Sequence, residues 1–341
     1  SVIWTREDLN CEPAFWAQLP GNFQYIARKA VISSKNFAGF TSLHNYPSGR
    51  PDGNHWGPAI SVFETTSQTA YYYNHHVRDI GNFTVVGPTG SGKTVFLSFI
   101  AAQTQRVQPR PKLLFVDKDR GAEIFIRALG GQYETLMPGE PTGFNPLALP
   151  DSAPNREFLY QLFAFMLRPA NGAELTASEE QVIRNAIAAV LTGGPAGRTL
   201  KAFSTLLRGR IRAGEGDLLA RLESWMRPDQ RGWLFNNEED QFSLSSVFGF
   251  DMTRVLDDPV IRTAALMYIF HRTEELLTGD PVMIFLDEGW RLLDDDVFAF
   301  FIRDKLKTIR KQNGIVGFGT QSAADIVRSK ASNTLIEQTS T

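Results

Sequence analysis

Eight consecutive residues constrain this chain more than any other feature: Gly87-Pro88-Thr89-Gly90-Ser91-Gly92-Lys93-Thr94. Glycines at these spacings let a backbone wrap phosphate groups and aim its N–H groups inward, and a helix starting where the loop ends adds its positive N-terminus. Lys93 is placed to reach the β- and γ-phosphates, and the Thr94 hydroxyl to ligate Mg²⁺. The flanks agree. Phe83-Thr84-Val85-Val86 reads as a short buried strand, and the spacing of Val95, Phe96, Phe99, Ile100 and Ala102 suits a helix. Gly87 to Val95 is therefore the candidate nucleotide-binding segment.

Around this loop the pattern is strand, helix, strand, helix. Lys112 to Val116 reads as a strand ending at Asp117, and a helix over 122–129 closes on Gly130-Gly131. That rhythm predicts an α/β fold with a parallel sheet. From about 151 to 243 the strand signals stop. Helices are expected over 157–167, from a Thr176-Ala177-Ser178-Glu179 capping box to Thr192, over 200–213 and over 218–226, as an all-helical insertion. Strand patterns resume at 247–252, 282–286 and 315–319, with a helix from Asp258-Pro259 to Leu277 and another over 297–312 closed by Asn313-Gly314. The expected domains are thus 1–80 ahead of the core, 81–150 and 244–341 as its two parts, and 151–243 inserted. Within 1–80, a short helix is expected near 7–18, a Gly- and Pro-rich loop over 46–57, and a β-hairpin over 59–73.

Further chemistry belongs to strand ends. Met283-Ile284-Phe285-Leu286-Asp287-Glu288 is an apolar strand closing on two carboxylates. Beside a phosphate loop, Asp287 is expected to hold the metal and Glu288 to polarise the attacking water. Gln321 follows another buried strand, where it either senses the γ-phosphate and orients water or caps the next helix. Arg303, Lys305, Lys307, Arg310 and Lys311 form a basic helix face, either simply solvated or supplying Arg310 as an arginine finger to a neighbouring subunit. Asp117 and Asp119 either line the site or cap the following helix. Three other features have plainer readings. His75-His76 point to opposite strand faces and make a poor metal pair. Asp294-Asp295-Asp296 cap a helix, and Cys11 is a small buried residue.

Composition sets outer limits. The 341 residues are 43% apolar and 21% charged, with a formal net charge of −2. This excludes disorder and collagen, and advertises no global basic field for nucleic acid. A single cysteine excludes an internal disulfide framework and fits a reducing compartment. No run approaches the roughly 18 apolar residues of a membrane span, and no signal peptide is visible. The chain opens at Ser1 and runs out in Glu337-Gln338-Thr339-Ser340-Thr341; it reads as a piece of something longer.

Six blocks carry a resemblance. Ala14-Phe15-Trp16-Ala17-Gln18-Leu19-Pro20-Gly21-Asn22-Phe23, residues 36–45 and Gly53-Asn54-His55-Trp56-Gly57-Pro58-Ala59 resemble segments ahead of the motor domain in the VirB-type ATPases of type IV secretion systems, the CagE/TrbE class. Asp117-Lys118-Asp119-Arg120-Gly121-Ala122-Glu123, Gly249-Phe250-Asp251-Met252-Thr253 and residues 307–314 are similar to further blocks of that family. The resemblance covers essentially the whole chain and implies its C-terminal motor portion. It implies a RecA-like P-loop core with an inserted all-helical domain, and Mg²⁺-dependent ATP hydrolysis at the subunit interfaces of a ring, expected to be a hexamer. The ring would sit on the cytoplasmic face of the bacterial inner membrane among other secretion components. Related coupling proteins place a trans-acting arginine eleven positions before the glutamine of the third motif; Arg310 stands eleven before Gln321. The alternatives are a DNA translocase of the FtsK/HerA or coupling-protein kind, and a scaffold that binds nucleotide with negligible turnover.

Overall fold

The strands of the centre are apolar on both faces, and a strand of that kind must be covered twice. In the computed structural model, which describes residues 6, 8–27, 29, 31–39, 46–169, 172–207, 217–242, 246–287, 306, 308–322 and 339, this is what occurs. The chain divides into two compact units, 1–47 and 48–341.

The first unit holds α1 (Cys11–Ala17), a 3₁₀ turn and α2 (Ser34–Gly39), none with a buried residue. Phe15, Phe23 and Phe37 are exposed. Cys11, expected to be buried, is exposed as well. A seven-residue helix with no buried face has no core in which to hide it.

The second unit starts with an antiparallel hairpin, β1 (Ser61–Glu64) and β2 (Ala70–Tyr73), with Phe63 opposite Tyr71. Then come β3 (Phe83–Val86), α3 (Lys93–Thr104), β4 (Lys112–Asp117), α4 (Glu123–Ala128) and β5 (Gln132–Thr135). Among the described residues the α-helices that follow are α5 (Ala153–Met166), α6 (Ala177–Thr192), α7 (Leu200–Leu207), α8 (Leu218–Met226) and α9 (Gly232–Phe235). The expected capping box opens α6, with Thr176 and Glu179 each bonding the other's backbone. The remaining elements among the described residues are β6 (Val247–Asp251), α10 (Pro259–Glu274), β7 (Val282–Leu286) and β8 (Gly314–Thr320).

Strands β3-β8-β7-β4-β6-β5, in that spatial order, form a six-stranded sheet, parallel throughout. Alternate residues of each strand feed two cores, as the period of two demands. Leu113, Phe115, Met283 and Phe285 face α3, α4 and the hairpin. Leu114, Val116, Ile284 and Leu286 face α5 to α10. Helix α10 is buried on nearly every side, with Tyr268 and Arg272 both bonded to Asp240. Its His271 stacks on Phe158 of α5, ring centroids 3.8 Å apart. The all-helical segment therefore shares a core with the sheet through α10. The helix expected over 297–312 is described only at 306 and 308–311, where Leu306 and Ile309 are buried.

Candidate functional site

In a parallel sheet, the carboxyl ends of the strands gather loops from distant parts of the sequence at one edge. Here β3 delivers the glycine-rich loop, whose first residue is anchored when Gly87 N–H donates to the Thr320 carbonyl at 3.0 Å. Gly90 and Gly92 take positive φ of 80° and 88°, the left-handed region where a side chain would be strained. Gly92 is the N-cap of α3 and carries no side-chain cap, whereas Ser152, Thr176 and Asp258 cap α5, α6 and α10 with their oxygens. The first turn of α3, with Lys93 at its start, can thus offer its N–H groups to an anion. Val95, the last residue of the expected segment, is 74% exposed on that helix.

Thr94, second in the helix, donates from Oγ1 to Oδ2 of Asp287 at 2.8 Å. Asp287 is buried and tied to the sheet by its own N–H, which donates to the Val116 carbonyl at 2.9 Å. Its other oxygen, Oδ1, lies 2.8 Å from where a Cβ on Gly319 would stand, so a glycine at that point of β8 leaves room for the carboxylate.

The ends of β4 and β6 add two more carboxylates, Asp117 and Asp251, which are paired in register. Asp117 Oδ2 accepts from Ala122 N–H and from the Tyr133 hydroxyl, each at 2.7 Å, and Oδ1 accepts from Lys118 N–H at 2.8 Å. Burial pushes its pKa up to about 6, and the charge of Asp287 adds to the rise; the three donors work against it. Asp117 thereby caps the start of α4, and its carboxylate is near enough to Asp287 to feel that residue's charge. Asp119 differs: its side chain is exposed and pairs with Lys118 Nζ at 4.0 Å, and its N–H donates to Thr253 Oγ1 at 2.6 Å. Asp119 and Arg120 both have positive φ, 59° and 55°. The loop they belong to brings Gly121 against Thr94, whose Cγ2 is 3.0 Å from a Cβ built on that glycine.

Gln321 directly follows Thr320 and is exposed at the mouth of the same edge. Glu288, expected to polarise water, lies outside the described residues, as do Arg303, Lys305, Lys307 and Asp294 to Asp296. Arg310 is not brought to this edge. It precedes Gly314, the first of seven residues of β8. At about 3.3 Å per residue the two ends of that strand stand about 20 Å apart, further than an arginine reaches. Arg310 therefore stands at the opposite end of β8 from the loop of its own chain.

Sequence reasoning missed Tyr133 and the room at Gly319. The hydroxyl had no local signal, because its strand reads as polar. The glycine stood inside a strand pattern, a known mark of close approach.

What the edge can do chemically is hold a polyphosphate at the loop and α3, and a hard cation between a hydroxyl and a buried carboxylate. Among the described residues no helix is long and apolar enough to cross a membrane.

No protein-family model matches the chain. It is 42% identical over 338 residues to the type IV secretion system protein virB4 of Bartonella henselae, covering 99% of this chain and 42% of that protein. It is 40% identical over 361 residues to the type IV secretion system protein PtlC of Bordetella pertussis, covering 99% and 43%. The chain thus spans well under half the length of the curated relatives it matches. Among solved structures, VirB4 of Thermoanaerobacter pseudethanolicus superposes with a TM-score of 0.66 at 18% identity, covering 86% of this chain and 82% of that one. The plasmid coupling protein TrwB in complex with ADP and Mg²⁺ gives 0.51 at 17% identity, covering 75% and 68%. At those identities the two structures speak for the fold.

Proposed function

We propose that this chain, which belongs to the VirB4/PtlC family of type IV secretion proteins, is the ATP-hydrolysing motor portion of such a protein. The observation that carries this reading is the hydrogen bond from Thr94 to Asp287, since it joins the end of the phosphate loop to a buried carboxylate two strands away. Nothing in a merely structural loop calls for that pairing. Bound Mg²⁺ would supply charge neutralisation for the phosphates; Thr94 and Asp287 are the residues to hold it. That TrwB is described with ADP and Mg²⁺ is in keeping with this choice of ligands.

In this reading the N–H groups of the loop and of the first turn of α3 bind and orient the phosphates, and Lys93 neutralises their charge. Glu288, adjacent to Asp287 in sequence, accepts the proton of the attacking water. Gln321 orients that water or senses the γ-phosphate. Arg310, at the far strand end, acts on the nucleotide of a neighbouring copy, which makes turnover a property of an assembled ring, by expectation a hexamer. The ring would work at the cytoplasmic face of the inner membrane with other secretion components, and α5 to α9 would form its inserted helical domain.

The test is the ATPase rate per subunit against protein concentration, for the wild type and Glu288→Gln, with and without single-stranded DNA. A rate that rises with concentration, is lost in Glu288→Gln and ignores DNA is expected. Strong stimulation by DNA would favour a translocase instead, and a rate independent of concentration would remove the trans-acting role of Arg310.

A further inference from the structure

The sheet edge opposite the phosphate loop carries a constellation that nucleotide binding does not use. Arg310 lies in the helical turn 308–311, whose Ile309 is buried while Arg310 itself is exposed. Its Nε donates to the backbone carbonyl of Asp79 at 3.2 Å, inside a turn closed between Val77 and Ile80. Three residues on, Asn313 has a φ of +65°, and its N–H reaches back to the Arg310 carbonyl at 3.4 Å.

The amide of Asn313 is engaged at both ends. Oδ1 accepts from Trp56 Nε1 at 2.7 Å and from His55 Nε2 at 3.0 Å, which requires the His55 tautomer protonated at Nε2. Nδ2 donates to the Gly279 carbonyl at 3.0 Å. Trp56 is buried, edge-on to His75 and His76 at 5.7 and 4.9 Å. The His55 ring lies 4.3 Å from that of His76. Residues 53–57 and 75–80 thus grip the turn 310–313 from the side that faces away from the sheet's own loops.

Ending a helix explains only part of this. An asparagine in the left-handed region serves as a helix C-terminus by itself, without an indole or an imidazole on its side chain. The extra contacts hold Asn313, whose N–H is bonded to the Arg310 carbonyl, while the Asp79 carbonyl holds the Arg310 side chain itself. A charged group aimed before the reaction needs little reorganisation when transition-state charge develops.

We propose that Trp56, His55 and Asn313, with the Asp79 carbonyl, are positioning residues that hold Arg310 ready for the nucleotide of the neighbouring copy. This rests on the reading of Arg310 as a trans-acting arginine. The segment ahead of the core is then part of the finger's mount, and a shift of that segment would switch off a site in the next subunit.

The experiment uses Asn313→Gly, which keeps the positive φ while removing the amide, and Trp56→Phe, which keeps the ring while removing the donor. Each is assayed for kcat and KM at concentrations where the wild type assembles, beside Arg310→Ala. A fall in kcat of about tenfold or more with KM within about twofold is expected, and no further loss when Asn313→Gly is combined with Arg310→Ala. Mixing provides the readout that a purely structural defect would not move. Lys93→Ala subunits have a dead site and an intact finger, so they should restore turnover to Asn313→Gly subunits as they do to Arg310→Ala subunits. Wild-type kcat in Asn313→Gly and Trp56→Phe beside a dead Arg310→Ala overturns the mount and leaves the finger standing. So does a loss in Asn313→Gly that mixing restores only for Arg310→Ala. Wild-type turnover in Arg310→Ala, or no restoration of it by mixing, removes the finger and the mount together.

Discussion

Thr94 Oγ1 and Asp287 Oδ2 are 2.8 Å apart and 193 residues distant in sequence, and the sheet alone brings them together. Strand β8 separates β3 from β7 in the sheet, yet the helix that follows β3 carries Thr94 across it to the end of β7. The hydroxyl donates to a buried acidic side chain, and a hydroxyl and a carboxylate are both oxygen ligands of the kind a hard cation takes.

Asp287→Asn keeps the shape and removes the charge. Turnover should fall on the order of 100-fold, the scale of losing about 3 kcal/mol of transition-state charge stabilisation. Nucleotide binding in excess chelator should stay within about twofold of the wild type, because the loop and Lys93 are untouched. Fluorescent-nucleotide titrations with and without Mg²⁺ separate the two. Equal loss in both would mean that Asp287 supports the loop and not a cation.

Gly319→Ala tests the room made for that carboxylate. The new Cβ would stand 2.8 Å from Asp287 Oδ1 and 3.4 Å from Leu97 Cδ1. Leu97 is in the core, so the carboxylate must move. Overpacking of this kind costs about 1–3 kcal/mol. We expect a modest fall in the unfolding midpoint and a raised Mg²⁺ requirement for turnover. An unchanged Mg²⁺ dependence would show that the carboxylate position is not critical.

The histidines behind the hairpin give a stability prediction of definite sign. His75 is buried, its Nε2 2.8 Å from Thr104 Oγ1 and its Nδ1 3.3 Å from the Tyr73 hydroxyl. Thr104 donates its own proton to the Ile100 carbonyl, so Nε2 carries the hydrogen and Nδ1 accepts. Burial, reinforced by His76, pushes the His75 pKa down to about 3, below the unfolded value near 6.5. The stabilisation from the neutral ring is therefore complete above pH 6.5 and is lost as pH falls from there toward 3. Asp117 acts in the opposite sense, since its raised pKa relieves a cost as pH drops below about 6. His75→Gln removes only the first contribution. Denaturant titrations between pH 6.5 and 4.5 should show a slope shallower than the wild type's by about 1.4 kcal/mol per pH unit. Parallel slopes would mean that His75 is charged in the folded state.

Local patterns made most of the centre legible. Strands β4, β6, β7 and β8 are continuous apolar runs, the form that burial on both faces imposes, and Lys93, Thr94 and Asp287 stand at fixed offsets from such runs. Strand β5 was missed because Gln132-Tyr133-Glu134-Thr135 has one buried apolar side chain. The stretch 46–57 reads as a loop from its glycines and prolines, yet it delivers Trp56 into the core. Asn313 reads as a helix stop, which it is. Its partners His55 and Trp56 lie 258 and 257 residues away, beyond the reach of any periodicity. Spacing reveals what one segment does for itself, and pairings made only by the closed sheet leave no such trace.

Tyr133 offers the last test, because it joins this unpredicted strand to the site. Its hydroxyl is one of three donors that hold the Asp117 carboxylate as an anion, beside the negative Asp287. The same carboxylate anchors the turn in which Asp119 and Arg120 keep left-handed backbones, at about 1–2 kcal/mol each. Tyr133→Phe should cost about 1–3 kcal/mol of stability through the lost bond to a buried charge. It should also raise the Asp117 pKa above about 6, since the hydrogen bond that lowered it is gone. Protonated Asp117 has a weaker hold on Lys118 and Ala122 N–H, so the turn against Thr94 loosens. The acid limb of the turnover profile should therefore move to higher pH in Tyr133→Phe, with the alkaline side unchanged. A profile that merely drops at every pH would restrict Tyr133 to packing and leave Asp117 ionised throughout the working range.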